Sequence, residues 1–283
     1  MNTPRNLFAV LGLALLACGS VVQAGGYMRS GGETYLSVGL KMDLGDRFFD
    51  KSGKRRSGDC DSGFSVPVYV DHGLSYYTNV FASSALRYKE CPGESSSSIG
   101  DTLVGLRRRV DPLANDWVWE AALILPTSRI GATQASDAAE WGVDLGLHSR
   151  PRPDPYRLDL NKDPLASQWD FGTGLRAWAG HLPLEWWANV AYSRALSETN
   201  WMLGQRGWYF SGSLDWHQSI ARTHDTEAAV DVHDRYHLLG LTLGLSYPLA
   251  KFESFRISLH RSLLGENRDD ASGISLGYGK TFR

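Results

Sequence analysis

Residues 239–247 read Leu-Gly-Leu-Thr-Leu-Gly-Leu-Ser-Tyr, and the period of two in that run decides the fold. Leu239, Leu241, Leu243, Leu245 and Tyr247 fall on one side of an extended chain, and Gly240, Thr242, Gly244 and Ser246 on the other. Successive side chains of a strand point to opposite faces, so the run is a strand with one apolar face and one small, polar face. Working outward, the same design returns in both directions. Leu36, Val38, Leu40, Met42 and Leu44 oppose Ser37, Gly39, Lys41 and Asp43, and Trp117, Trp119, Ala121, Leu123 and Leu125 oppose Val118, Glu120, Ala122 and Ile124. Ile274, Leu276, Tyr278 and Phe282 oppose Ser275, Gly277, Gly279 and Thr281. From residue 33 to the C-terminus about 12 such segments can be counted, each about the length a tilted strand needs to cross a bilayer.

Alternation alone does not say which face points inward. A soluble barrel or sandwich buries the apolar face; a membrane barrel shows it to lipid. Three features favour the membrane. The opposite face is small or charged (Gly39, Gly105, Gly146, Gly172 and Gly244 with Lys41, Arg107 and Glu120), which suits a lumen. Aromatic residues stand near the ends of the apolar face, at Trp117, Trp141, Trp169, Trp208, Tyr247 and Phe282, where membrane girdles are found. The chain also closes on a strand stepping by two to Phe282, with Arg283 after it. The expected fold is all-β: a closed antiparallel transmembrane barrel of about 12 strands in a bacterial outer membrane.

Composition agrees. Twenty-nine Lys and Arg against 31 Asp and Glu leave a formal charge of −2, which gives nucleic acid no long-range attraction. No apolar run reaches the 18 or more residues of a spanning helix, so an inner-membrane helical bundle is excluded. The first 24 residues read as an export signal: Arg5, an apolar core from Leu7 to Ala17, and a small-residue cleavage site ending at Ala24. The rest, 25–283, is expected to be the barrel. A rival processing route is Leu15-Leu16-Ala17-Cys18-Gly19, a lipoprotein-like box with Cys18 as the lipidated residue. Cleavage at Ala24 leaves Cys60 and Cys91 in an oxidising compartment, both in Gly/Ser/charge-rich stretches, and a loop-to-loop disulfide is expected. There is no CxxC and the eight histidines are scattered along the chain, so neither a metal nor another cofactor is expected.

With both ends periplasmic, residues 45–62, 88–98, 128–139, 218–234 and 265–271 become external loops, and Asp71–Leu74, Asp111–Asp116 and Leu249–Lys251 short periplasmic turns. The middle fits less well. Ser149–Ala166 becomes a long periplasmic connection and Gly180–Pro183 a tight external one, so a miscounted strand between 149 and 205 is one reading.

Residues 66–127 carry the runs VPVYVDHGLSYYTNV, SSSSIGDTLVGLRRRV and WEAALILPTS. These resemble the outer-membrane barrel family named for the meta-pathway of phenol degradation, whose members place a Y-x-x-x-G-L-T turn before a G-x-G-D-x-x-L-G-x-K/R strand and an A-x-x-x-P-T/S strand. A fainter echo runs from Leu264-Gly265-Glu266-Asn267 to the end, and Ile99 stands where a Gly is common. The resemblance implies a channel or transporter for small, apolar or aromatic solutes. The implied partners are outer-membrane lipid, the barrel-assembly machinery and the solute.

Lumen-facing charges are the candidate functional residues: Asp101, Arg107, Arg109, Glu120, Asp144, Asp170, Arg176, Glu185, Asp215 and Arg256. Their mixed signs allow two readings, an ion-pair network that stiffens the wall, or an Arg107/Arg109 ladder facing carboxylates across the pore and selecting polar or anionic solutes. Inward glycines suggest open space. An enzyme is the alternative. His260-Arg261-Ser262 puts an imidazole and a hydroxyl on one face of a strand, as in outer-membrane lipid hydrolases, but those follow the Ser with Asn where Leu263 stands here. Their site also faces lipid, and this pair faces the lumen. A structural barrel acting through its loops is the remaining class; a non-enzymatic channel is the expectation.

Overall fold

The computed structural model describes residues 28–43, 47–50, 52–57, 62–91, 94–110, 117–127, 141–149, 167–179, 184–196, 207–220, 236–250, 252–266, 268–269 and 272–283. The leader, Cys18 and Cys60 lie outside these. The elements are β1 (Thr34–Asp43), β2 (Arg47–Phe49), β3 (Arg55–Ser57), β4 (Ser62–Gly73), β5 (Thr78–Cys91), β6 (Glu94–Ile99), β7 (Thr102–Arg109), β8 (Trp117–Leu125), β9 (Gly142–Ser149), β10 (Ser167–Trp178), β11 (Leu184–Ala195), β12 (Tyr209–Ile220), β13 (His237–Ala250), β14 (Glu253–Glu266), β15 (Arg268–Asp269) and β16 (Gly273–Phe282).

Period-two strands with an apolar outer face need a sheet with no free edge, and closure supplies it. β1 pairs with both β4 and β16, β4 with β5, and the remaining strands follow in antiparallel order back to β16, so twelve strands close the wall. The outer face carries Met42, Val104, Leu123, Leu145, Leu214 and Leu259, all exposed. Girdle aromatics are exposed too, Trp141 at 58% and Trp169 at 48%. In water such a surface would aggregate; in hydrocarbon it is solvated. Below we call the end holding Thr34 and Phe282 the terminal end, and the opposite one the far end.

The middle of the chain keeps the strand count. β9, β10 and β11 pair in sequence, so β9 runs to the terminal end and β10 back to the far end, as the awkward reading required. Three far-end expectations need correction. Residues 88–98 are not a loop, because β5 continues to Cys91 and β6 returns from Glu94 as a projecting hairpin. Within 45–62, β2 and β3 form a hairpin, and β15, from the expected loop 265–271, joins its edge.

β6 and β7 are one strand interrupted by a bulge. Leu86 faces Ile99, but Ser83 faces Leu103, so the partner strand advances by three residues while this one advances by four. The surplus falls at Gly100–Asp101, where the Gly100 amide donates to the Ala85 carbonyl at 2.6 Å. An extra residue bends the strand and breaks its alternation, so Asp101 sits at a kink and not in a regular lumen row. On the outer face beside the kink, Ser84, Thr102 and Thr127 form a hydroxyl cluster: Thr102 donates to Ser84 (2.9 Å) and Thr127 to the Gly100 carbonyl (2.7 Å).

Candidate functional site: the lumen

Antiparallel register places residues of neighbouring strands side by side, and here it builds charged rungs. Asn79, Arg107, Glu120 and Gly146 form one rung across β5, β7, β8 and β9. The Arg107 Nε donates to Glu120 at 2.6 Å and its Nη1 to the Tyr69 hydroxyl at 2.5 Å, 3.7 Å from Asp71. Asp71, fully buried, accepts from Asn79 at 3.0 Å, and the Arg29 guanidinium reaches it at 3.8 Å from the segment before β1. The Arg107 guanidinium also lies 4.4 Å over the Phe81 ring. His148 approaches Glu120 at 3.6 Å. This cluster lines the wall of the lumen toward the terminal end.

A second rung, Asp144, Arg176, Glu185 and Ser219, runs across β9 to β12 nearer the far end. Arg176 bridges Asp144 at 2.6 Å and Glu185 at 3.2 Å. Trp187 donates its indole N–H to Asp144 at 2.9 Å, and His217 and the Tyr236 hydroxyl meet Glu185. Asp215 is held by Asn189 and by Ser213, and Arg256 donates to Ser211 at 3.0 Å. Asp170 is buried in β10 opposite Ala191. Arg109 departs from the expected ladder: it donates to the Tyr76 carbonyl at 3.1 Å and stacks on that ring, at the turn between β4 and β5. Most of the predicted charges therefore meet partners on adjacent strands. Partners spaced by register are nearer than any group across the pore, and two opposite charges in a poorly hydrated space pair with the nearest neighbour.

The inward glycines beside the charged rungs are not open space. A Cβ on Gly105 would lie 2.7 Å from the Phe81 ring, and one on Gly174 would lie 2.5 Å from the Trp187 ring. Gly146 and Gly172 are covered by Trp187 and His148 in the same way. Large rings lie flat on the wall where a side chain is absent. Tyr69, Phe81 and Trp187 stand on the polar face of their strands, and that interruption of the small, polar pattern was the available signal for them.

Space remains in the far half. A cavity of about 310 Å³ lies between β1 and β4 on one side and β12 to β14 on the other, lined by Lys41, Pro67, Asp215, Leu238, Thr242 and His260 among others. Ser262 lines it too, and the His260 Nε2 lies 3.4 Å from Asp43, so the candidate hydrolytic pair faces the lumen. The β2–β3 hairpin sits at its rim. Phe49, 3% exposed, packs on Gly265 beside Leu238. Asp50 shapes the turn: it accepts from the Ser52 hydroxyl (2.6 Å), Arg56 (2.9 Å), the Lys54 amide (3.0 Å) and the Ser52 amide (2.9 Å), and Gly53 takes φ +72°. These donors hold the Asp50 carboxyl well below the usual carboxylate range.

An outer-membrane channel from Pseudomonas putida F1 superposes with a TM-score of 0.66 over 93% of this chain and 99% of its own, at 13% identity. This chain has the fold of an outer-membrane β-barrel. The β-domain of a Bordetella autotransporter (TM-score 0.49, 13% identity, 90% and 100% of the two chains) and the translocator domain of the Neisseria meningitidis autotransporter NalP (0.47, 11%, 98% and 94%) are also similar. No family model and no curated protein matches the sequence. The likeness lies in the architecture.

Proposed function

We propose that this barrel is a non-enzymatic channel for small, apolar or aromatic solutes, entered through the far-end cavity. The observation that carries the reading is the disposition of lumen charge. Arg29, Arg107 and Arg176 sit against Asp71, Glu120, Asp144 and Glu185 within the wall, so most of that charge is paired locally, while Pro67 and Leu238 line the cavity beside Lys41 and Asp215. A hydrated ion gains little from such a lining, and a compact apolar molecule loses little by entering it. The family resemblance of residues 66–127 points the same way. The remaining expectations belong to the proposal: export with cleavage after Ala24, insertion by the barrel-assembly machinery, and a Cys60–Cys91 disulfide.

Reconstitution tests it. Vesicles holding the protein should accumulate small aromatic solutes faster than sugars of equal size, with small single-channel conductance. Absence of both conductance and solute uptake would end the channel reading. The hydrolase reading draws on the Asp43–His260 contact beside Ser262. Esterase activity in the parent that disappears in Ser262→Ala would establish it, and an inactive parent removes it.

A further inference from the structure

The outer wall near the far end holds a charge where hydrocarbon is expected. On β14 the outward residues are Phe255, Ile257, Leu259, Arg261 and Leu263, and Arg261 is exposed. Its rung continues through Leu241 on β13 to Leu214 on β12, both facing outward. On the other side, the rung just below it runs from Leu259 through Ile274 to Met42. Arg261 is thus framed by apolar side chains, and among the described residues no side chain neutralises it. The carboxylates of this region are already engaged: Glu266 with His237 at 3.3 Å and Asp50 with Arg56 at 2.9 Å.

A guanidinium on a lipid-facing wall is costly unless it reaches water or an anion. The fold brings more positive charge to the same place. Pairing of β14 with β16 stops at His260, and β14 continues above it with Leu263 as the extra residue of a bulge. The β2–β3 hairpin occupies the rim there. Arg55 donates to the carbonyl of Ser262, the residue after Arg261, at 2.5 Å, and stacks on Phe49. Lys54, Arg56 and Arg47 are exposed on the same hairpin. With both termini periplasmic, this rim meets the outer leaflet.

We propose that Arg261, with Arg55 beside it, forms a docking site on the outer wall for a phosphorylated glycolipid of the outer leaflet. The phosphate sits on the guanidiniums, which match its oxygens in a two-pronged geometry that an ammonium lacks. The acyl chains run down the leucines at 214, 241, 259 and 263. This site lies outside the lumen, so it stands whether or not the barrel conducts.

Native mass spectrometry of the full chain in detergent tests the assignment, with bis-phosphorylated lipid A, dephosphorylated lipid A and inorganic phosphate as probes. The phosphorylated lipid should bind at least about tenfold tighter than the dephosphorylated one, as charge-assisted pairing requires. Arg261→Leu should remove that preference, Arg261→Lys should keep part of it, and Arg55→Ala should reduce it. Leucine suits a lipid-facing position, so the fold should survive, and heat-modifiable gel mobility checks this. Equal binding by wild type and Arg261→Leu, or no preference for the phosphorylated lipid, would overturn the proposal. So would displacement by inorganic phosphate at the same concentration, because it would leave the lipid without a role.

Discussion

Replacing Arg107 by Ala asks whether the terminal half of the lumen is dry. The Arg107 and Glu120 side chains are only 7% and 11% exposed, and the guanidinium is shared by Glu120 at 2.6 Å, Tyr69 and Asp71. Losing it strands two carboxylates. Asp71 keeps Asn79 at 3.0 Å and Arg29 at 3.8 Å, and Glu120 keeps His148 at 3.6 Å, so relief is partial. Breaking a desolvated pair from one side costs about 3–5 kcal/mol, and the retained contacts argue for the lower end. A hydrated pair would cost about 0–1 kcal/mol. The assay is urea unfolding of the refolded barrel in lipid vesicles, followed by tryptophan fluorescence. Pairing Arg107→Met with Glu120→Gln should recover part of the loss, because it removes the stranded Glu120 charge and leaves only Asp71, which keeps Asn79 and Arg29. A loss below about 1 kcal/mol for Arg107→Ala would refute the reasoning: the rung would then be surrounded by water, and the lumen would be an aqueous pore.

Gly105→Ala should destabilise by about 1–3 kcal/mol, because the new methyl meets the Ala121 carbonyl at 2.5 Å and the Phe81 ring. Gly240→Ala, with its nearest atom at 3.9 Å, should lie within about 0.5 kcal/mol of wild type in the same titration. The far-end hairpin should respond to acid through Asp50, whose folded pKa is depressed, so its contribution is present above the ordinary 3.8 and is lost only as pH falls through the lower folded value. The protection of amides in β2 and β3 against hydrogen exchange, relative to their intrinsic rates at each pH, should therefore be unchanged from neutral pH to that ordinary value and fall below it. Asp50→Ala should show the lowered protection at neutral pH. Maleimide on intact cells should label Cys60 only after reductant in the wild type, and without reductant in Cys91→Ser; labelling of untreated wild type would remove the proposed disulfide.

The barrel itself was legible because lipid solvation demands a strict period of two, and residues 239–247 obey it without exception. The same period puts Arg107, Glu120, Asp144, Arg176 and Glu185 on the face opposite the exposed apolar side chains, where the strands bring them into contact. The bulge at Gly100–Asp101 was not legible. One surplus residue leaves both flanking stretches alternating and shows only in the pairing with β5, which no single stretch records. The β2–β3 hairpin was hidden differently. Its Lys and Arg residues read as loop, whereas its order rests on Asp50 gathering turn donors and on Phe49 finding Gly265, over 200 residues away.

The inward glycines were read as room for solute, and beside the charged rungs the opposite holds, for a reason that extends beyond these positions. A twelve-strand wall curves tightly, so inward side chains converge. A glycine in such a wall is a shelf on which a neighbour's ring can lie, as Phe81 does on Gly105 and Trp187 on Gly174. Each ring in turn supports a charge: Arg107 lies 4.4 Å over Phe81, and the Trp187 indole holds Asp144 at 2.9 Å. Glycine, ring and ion pair are therefore one unit, repeated on β5 to β8 and on β9 to β11. Space for a solute should then survive where the unit is missing. Gly240 is such a place, for among the described residues no ring lies within 4 Å of its would-be Cβ, and it is a residue of the 310 Å³ cavity lining. Gly240→Trp should accordingly narrow the cavity and slow solute entry while leaving the unfolding midpoint close to wild type, whereas Gly105→Ala should do the reverse. If both substitutions affected uptake alike, the division of the lumen into a packed half and a receiving half would fail.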